Sequence, residues 1–471
     1  VSDAAPASHF DLVIIGGGPA GYGAALYGAS AGLNIALVEK DKVGGTCLHR
    51  GCIPAKELLE TAHVFRTVGH ASAFGVEASA PTLAFGTTMA RKAEVVEGLF
   101  KGLSGLLKHR KVTVFSATGT LQADRSVRLT APDGDTATIT ADAVVLAAGS
   151  VPRTIPGFDV DGRIVLTSDE VFELEQLPRK VAVIGGGAIG CEFASMMSDL
   201  GSEVTVLEAL PQILPGVDKD VVNVVRRSFK GRGIDVRTGV TVKGHTPGST
   251  GTTLELEGQD PLNVDAVVVS VGRRPLSESL GLAGTGVVVD QRGFVEVDEL
   301  CRTAVEGVWA VGDLIATPGL AHVGYAEAIL VIKQLLGEAV TPVDYAGVAW
   351  CIYCQPEVAF AGHSEQSAIE AGFEVVTTKH RWGGNSRALI IGDTEGVVKV
   401  IAEKRPDGTG GRILGVHMAG PWVTEQLGQA YLAVNWDATV DDVAHFIQPH
   451  PSLSESFGEA VLSLTGRSLN S

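Results

Sequence analysis

Six residues, Gly16-Gly17-Gly18-Pro19-Ala20-Gly21, follow the apolar run Phe10 to Ile15 and lead into an Ala-rich helical stretch ending near Ala31. A strand that turns through Gly-x-Gly-x-x-Gly into a helix leaves a chain few choices. The glycines permit a tight turn, a close approach of backbone to a pyrophosphate, and packing of helix on strand. The helix start adds unpaired N–H groups and a positive dipole end. Asn34 to Val38 reads as the next strand, and Glu39 falls 18 positions past the last glycine, where a carboxylate accepts from a ribose hydroxyl. The pattern returns 169 residues later as strand Val181 to Ile184, Gly185-Gly186-Gly187-Ala188-Ile189-Gly190, a helix to about Leu200, strand Val204 to Leu207 and Glu208, again 18 positions past the last glycine. One such turn also occurs without a ligand; two with matching acids predict two dinucleotides between which electrons pass. The doubled cradle is the only internal repeat.

Its 471 residues suggest three domains, since single cores stop growing beyond a few hundred residues. The 59 glycines and 6% aromatics suit an α/β protein with many strand-to-helix turns. A net charge of −17 with no basic run argues against nucleic-acid and anionic-membrane partners, which need clustered Lys and Arg. Val1 to His9 has no positive n-region or apolar h-region and no stretch of 18 apolar residues occurs, so a soluble, cytoplasmic protein is expected.

Leu99 to Arg110 reads as the end of a long amphipathic helix, and Val112 to Leu146 as several strands with a turn at Asp133-Gly134. The breakers Ala148-Gly149-Ser150-Val151-Pro152 and Val271-Gly272-Arg273-Arg274-Pro275 mark crossovers on either side of the second cradle. Val308 to Asp313 reads as a strand by which the chain returns to the first domain. The expected fold is therefore α/β: two Rossmann-like dinucleotide-binding domains, residues 1–150 with 276–345 and residues 151–275, plus a C-terminal α+β dimerisation domain, residues 346–471. Strands near Val397 to Ala402 and Ile413 to His417, with helices near Thr424 to Val434 and Ser454 to Leu464, belong to the last.

Six cysteines are too few for a disulfide scaffold, and a close pair in a reducing compartment is catalytic or metal-binding more often than structural. Cys47 and Cys52 stand five apart on what reads as a turn, with Pro54 opening a helix. Thiols at a helix start feel its dipole, which lowers their pKa and favours thiol exchange and electron transfer to a flavin. Cys351 and Cys354 form a lone Cys-x-x-Cys without a second pair, so they read as strand-face hydrophobes; Cys191 and Cys301 read as structural, and no metal site is assigned.

Together the first cradle, Gly44-Gly45-Thr46-Cys47 through Cys52-Ile53-Pro54-Ala55-Lys56, the second cradle, Gly312-Asp313, Tyr353-Cys354-Gln355-Pro356-Glu357 and His450-Pro451-Ser452-Leu453-Ser454-Glu455 resemble the class I pyridine nucleotide disulfide oxidoreductases over essentially the whole length. The resemblance is strongest to the branch that oxidises dihydrolipoamide. It implies FAD on the first cradle, at Gly16, Gly18, Gly21 and Glu39, with Asp313 at its ribityl or phosphate region and Lys56 and Glu192 approaching the flavin. Gly119, Gly149, Ser150 and the segment around Ala321 fall at FAD positions. NAD would lie on Gly185, Gly187, Gly190 and Glu208, lined by Val240 and Gly272. Cys52 would be the thiolate against the flavin and Cys47 the thiol that exchanges with substrate. His450, a turn residue if taken alone, becomes the acid/base, oriented by Glu455 and acting on the disulfide of the other subunit of a homodimer.

A carboxylate at Glu208 pairs with a ribose 2′-hydroxyl and repels a 2′-phosphate, so NAD is favoured over NADP. Arg226 and Arg227, nearby in sequence, read as a solvated helix face. The implied reaction is oxidation of dihydrolipoamide carried on lipoyl domains of 2-oxoacid dehydrogenase or glycine cleavage complexes, with reduction of NAD. An NADPH-linked reductase of the glutathione reductase type shares the cradles and the cysteine pair, and a catalytically idle FAD-binding subunit is the reading from another class. Glu208 and the Ser-Leu-Ser-Glu ending speak against the first, the intact reactive residues against the second. His49-Arg50, Ala55 and Ala148 depart from the family pattern without removing a reacting atom.

Overall fold

The computed structural model describes residues 9–469, so Val1 to Ser8 of the leader reading and the last two residues of the tail lie outside the described residues. The chain divides into two compact units.

The first comprises Val1–Glu57, Gly86–Arg153 and Gly272–Tyr345. Its parallel sheet runs Thr113–Ser116, Ile35–Glu39, His9–Ile15, Thr136–Leu146, Val308–Ala310 in spatial order. Ile15 lies opposite Val38 on one side and Leu146 on the other, so the strand order reverses at the end of His9–Ile15. A crevice opens at such a switch point, and both strand ends there lead into loops of the site. The strands are nearly continuous apolar runs because they are buried in one core with helix residues Ala24, Ala25 and Leu107 and with Leu121, Val127 and Leu129 of the antiparallel strands that follow; Leu12, Val13, Ile14, Leu37, Val145 and Leu146 have no more than 1% exposure. Thr136–Leu146 also carries an antiparallel meander with Val127–Thr130 and Thr118–Leu121. Helix Pro19–Ser30, with proline in its first turn, packs on helix Ala321–Leu335, and Gly23 permits the approach: a Cβ there would stand 2.9 Å from the Tyr325 ring. The long helix spans Phe85–His109.

The second unit comprises Leu58–Phe85, Thr154–Val271 and Ala346–Ser471. Its parallel sheet runs Asp235–Thr238, Glu203–Glu208, Lys180–Ile184, Ala266–Val269, Val165–Leu166; the first four repeat the order of the first sheet, the edge strand Val165–Leu166 instead precedes them in sequence, and the meander Val242–Pro247, Thr252–Leu256, Leu262–Val264 stands before the fourth. The rest is a five-stranded antiparallel sheet, Trp350–Ile352, Glu357–Gly362, Gly410–Gly420, Val397–Lys404, Val375–Arg381. Val398, Val400, Val416 and Met418 on one face of that sheet pack against Leu427 and Ala430 of helix Val423–Asn435 and Phe457 and Val461 of helix Glu455–Ser463.

Between Val398 and Val400, Lys399 points to the opposite face and is fully buried. Its Nζ reaches Asp218 at 3.0 Å, Asp220 at 2.7 Å and Glu365 at 2.5 Å. Asp218 caps helix Lys219–Gly231 and Glu365 starts helix Glu365–Glu370, so one ammonium pins two helix starts to the sheet. Among the described residues no helix is long and apolar enough to cross a membrane.

Candidate active site

The first cradle leaves the end of His9–Ile15 through Gly16, whose φ of +112° is a left-handed conformation natural to glycine. A Cβ on Gly16 would stand 2.2 Å from the Ala147 carbonyl oxygen, and one on Gly21 1.8 Å from that of Gly16, so neither position admits a side chain. Gly18 is the opposite case. It is the N-cap of helix Pro19–Ser30, no side chain caps it, and the space where its Cβ would point is open to 4 Å. Two glycines close the turn and the third opens it, which is the arrangement a diphosphate needs at a helix start. Glu39 closes the cradle from the next strand, accepting from Gly17 N at 2.7 Å and Asp41 N at 2.8 Å.

The second cradle reproduces this geometry within the other unit. Cβ atoms on Gly185 and Gly190 would meet the carbonyl oxygens of Ser270 at 2.5 Å and Gly185 at 1.9 Å, while Gly187 faces open space. Glu208 accepts from Gly186 N at 2.6 Å and Leu210 N at 2.7 Å, and is 8% exposed. Val240, buried beside it, donates its N–H to the Glu208 carbonyl. In both cradles two backbone donors fix the carboxylate at the strand end, and its remaining acceptor capacity suits a ribose hydroxyl. The residues present therefore fit two dinucleotides.

The cysteine pair sits on helices where the sequence reads as a turn. Gly44, with φ of +107°, starts a short helix, Gly45–Arg50, that carries Cys47, and a second helix, Cys52–Gly69, starts at Cys52 rather than at Pro54. Gly44 N donates to Gly17 O at 2.7 Å, and a Cβ on Gly45 would stand 2.7 Å from Gly18 Cα. The sulfur-bearing helix is thus laid directly on the first cradle, and a side chain at Gly45 would force them apart. Neither sulfur is in a disulfide.

The expected lowering of thiol pKa fails for Cys47. Its thiol is pushed well above the usual range, first by its hydrogen bond with Cys52 and then by burial, against the opposing charge of Lys56. A second sulfur at hydrogen-bond range raises the thiol because two thiolates side by side repel. Around the pair, the Tyr22 and Tyr325 hydroxyls hydrogen-bond to each other. Burial raises both phenols, and the charges of Cys47 and Cys52 raise them further. His49 lies edge-on to Phe100 with Nε2 2.9 Å from the Val43 carbonyl, and Arg50 pairs with Asp41 at 2.6 Å.

Other predicted residues take varied positions. Asp313, on a 3-10 turn, accepts from Ser150 Oγ at 2.5 Å. Arg273, which sequence reading treated only as part of a breaker, donates to Ser150 Oγ and Ser150 O at 2.7 Å each and stands 3.7 Å from Asp313. The Gly272-Arg273-Arg274-Pro275 motif was the available signal; Ser150, which Arg273 meets, lies 123 residues away. Gly149 and Gly272 both have positive φ. Gly119 is packed, its Cβ position 3.0 Å from Val38 and 3.1 Å from Ile15. Ala321 opens helix Ala321–Leu335. Glu192 is buried and accepts from Tyr353 N at 2.9 Å. Cys351 lies half-buried on strand Trp350–Ile352, whereas Cys354 is buried beyond it, its thiol pushed up to about 12 by burial. Cys191 and Cys301 are buried.

His450 and Glu455 come together in the second unit, Nδ1 to Oε1 at 2.7 Å, with the Glu455 carboxylate also accepting from Ser452 N at 2.6 Å. The histidine side chain is 70% exposed and the glutamate 22%, so a held carboxylate orients a ring that faces outward.

Comparison with known proteins gives this geometry its class. Residues 10–328 match the pyridine nucleotide-disulphide oxidoreductase family and residues 348–461 its dimerisation domain. The chain belongs to that family. Among its curated relatives are the dihydrolipoyl dehydrogenases of Bacillus subtilis, 38% identical over 98% of this chain and 100% of that one, and of Zymomonas mobilis, 36% identical over 98% and 100%. Among solved structures, LpdA from Mycobacterium tuberculosis superposes with a TM-score of 0.91 at 26% identity, covering 97% of this chain and 100% of that one.

Proposed function

We propose that this chain is an FAD-dependent, NAD-linked dihydrolipoyl dehydrogenase, working as a homodimer. The observation that carries the reading is the contact between Gly45 and Gly18, which sets a pair of adjoining sulfurs on a dinucleotide cradle. Relatives named for this activity over nearly the full length support it, as does the matched dimerisation domain.

In this reading Gly16, Gly18, Gly21 and Glu39 hold FAD, and Gly185, Gly187, Gly190 and Glu208 hold NAD. Ser150, Arg273 and Asp313 form the polar cluster beside the first cradle. FAD held on the first cradle would supply the two-electron chemistry that links the cysteine pair to NAD. With Cys47 and Cys52 oxidised to a disulfide, a substrate thiolate attacks Cys47, the bond between the two cysteine sulfurs breaks, and Cys52 leaves as thiolate. The second substrate thiol, deprotonated, then displaces Cys47 from the mixed disulfide, giving cyclic lipoamide and a reduced pair. His450 takes the substrate proton through Nε2, because Nδ1 is committed to Glu455, whose charge stabilises the imidazolium. Its outward-facing ring serves the site of the partner subunit. The dithiol is carried on lipoyl domains of a 2-oxoacid dehydrogenase or glycine cleavage assembly, and the acid at Glu208 selects NAD over NADP.

Purified protein assayed with dihydrolipoamide and NAD, against glutathione disulfide and NADPH, tests the reading. Turnover with the first pair and a long-wavelength thiolate-to-flavin band on two-electron reduction are expected. A colourless folded protein, or turnover only with the second pair, removes the proposal.

A further inference from the structure

Within the second unit an open concavity of about 520 Å³ lies between helix Lys219–Gly231 and the edge strand Val375–Arg381, bounded also by Gly383 and Thr394–Val397. Three cations converge on it: Arg227 from the helix, and Lys379 and Arg381 from one face of the strand. Val224 and Val397 supply apolar wall. No residue of the second cradle, from Gly185 to Gly190 or at Glu208, lines it.

The charges in the cavity do not cancel. Its carboxylates are Asp220 and Glu395, and Asp220 is already held by Lys399 at 2.7 Å and Lys379 at 3.3 Å. Arg227 and Arg381 take part in no ion pair among the described residues. Lys379 is able to turn toward a ligand without orphaning Asp220, because the fully buried Lys399 keeps that carboxylate paired. On a chain of net charge −17, two unpaired guanidinium groups and a releasable ammonium around one concavity form a local positive site. Guanidinium forks match phosphate oxygens in pairs, and the volume falls within the range of small-ligand sites, about 300–1,000 Å³.

We propose that this cavity binds a diphosphate-bearing small anion at a site separate from both cradles, through Arg227, Lys379 and Arg381. The two valines leave room for an organic group attached to the phosphates. The inference goes beyond the reaction proposed above and does not depend on it.

The test is calorimetric titration of the holoenzyme, in low salt and saturating NAD so that both cradles are filled, with inorganic pyrophosphate and with ADP. One site per subunit is expected. The double variant Arg227→Ala/Arg381→Ala should bind about tenfold more weakly or worse, since two charge-assisted contacts are lost. Arg226→Ala, a neighbour on the same helix outside the cavity, should bind within about twofold of the parent, as a surface charge away from a contact does. Tighter binding of ADP than of pyrophosphate identifies a nucleotide as occupant, and equal binding identifies the diphosphate group alone. The proposal is overturned if neither anion binds at millimolar concentration, if the double variant binds like the parent, or if rising NAD displaces the anion. The variants' affinity for NAD is measured alongside, so a lost cradle is distinguished from a lost cavity.

Discussion

Replacing Glu208 by glutamine keeps the shape of the second cradle and changes what its strand end accepts. The two carboxylate oxygens each take one backbone N–H, from Gly186 at 2.6 Å and Leu210 at 2.7 Å, in a position only 8% exposed. Glutamine has one acceptor oxygen. Whichever way the amide turns, its NH2 group faces one of those N–H donors, leaving a buried donor unpaired and the other bond neutral rather than charge-assisted. An orphaned buried donor costs about 1–3 kcal/mol, and the change from charged to neutral acceptor about 1 kcal/mol. Part of this appears as loosening of the free turn and part as lost affinity, so NAD should bind roughly 10- to 100-fold more weakly, at about 1.4 kcal/mol per factor of ten. Binding of NADP should weaken less, because the charge that repels a 2′-phosphate is gone. The assay is titration of NAD and NADP into the FAD-loaded variant, with circular dichroism to confirm the fold. The matched substitution Glu39→Gln, where the bonds run to Gly17 and Asp41, should loosen FAD instead and leave NAD binding near the parent value. An NAD affinity within about twofold of the parent in a folded Glu208→Gln protein would refute the argument, since two such bonds carry more than that.

Serine at Cys47 or Cys52 should abolish dihydrolipoamide turnover while sparing some reduction of artificial dyes; full lipoamide activity in either variant contradicts the exchange mechanism. His450→Gln should lower kcat by about 10²- to 10⁴-fold, the usual worth of a general base, and Glu455→Gln by less, read from pH–rate profiles. Lys399→Met leaves buried Asp218 with Asp220 and Glu365 around a lost charge and should destabilise the protein by about 3–5 kcal/mol at pH 7, measured by denaturant midpoint. Burial pushes the Asp220 carboxyl up, but Lys399 and then Lys379 hold it below its ordinary value. A lowered folded pKa stabilises above the unfolded value of about 4 and is lost below it, so the variant's deficit should shrink as pH falls through that range. A deficit independent of pH would mean that packing, not charge, is what Lys399 provides.

Both cradles were legible because each is made by residues close in sequence: strand, glycine turn, helix, strand and acid. Why Gly16 must be glycine was not, since the obstructing atom belongs to Ala147, far along the chain. The helix bearing Cys47 was missed because glycines at 44, 45 and 51 bracket it and read as punctuation, yet Gly44 is its left-handed N-cap. Arg273 looked like part of a breaker, and only the pairing of Arg273–Pro275 with Ser150–Pro152 shows that it faces Ser150 and Asp313. Lys399 gave no signal of burial, because a lysine alternating with valines has the pattern of a strand's wet face. The three carboxylates that bury it come from positions 34 to 181 residues away.

The short ladder joining Ser150–Pro152 to Arg273–Pro275, with Arg153 N bonded to Gly272 O, puts the departure and the return of the chain side by side. Residues 154–271 are in that sense a cassette set into a hairpin. The register of Ser150–Pro152 against Arg273–Pro275 is closed by its own backbone bonds, whatever runs between its two strands. What holds the inserted segment lies within the second unit, where Asp218 and Asp220 grip Lys399 and Glu192 accepts from Tyr353 N, so the insert is joined to the chain at one doorway and anchored by residues from beyond position 346.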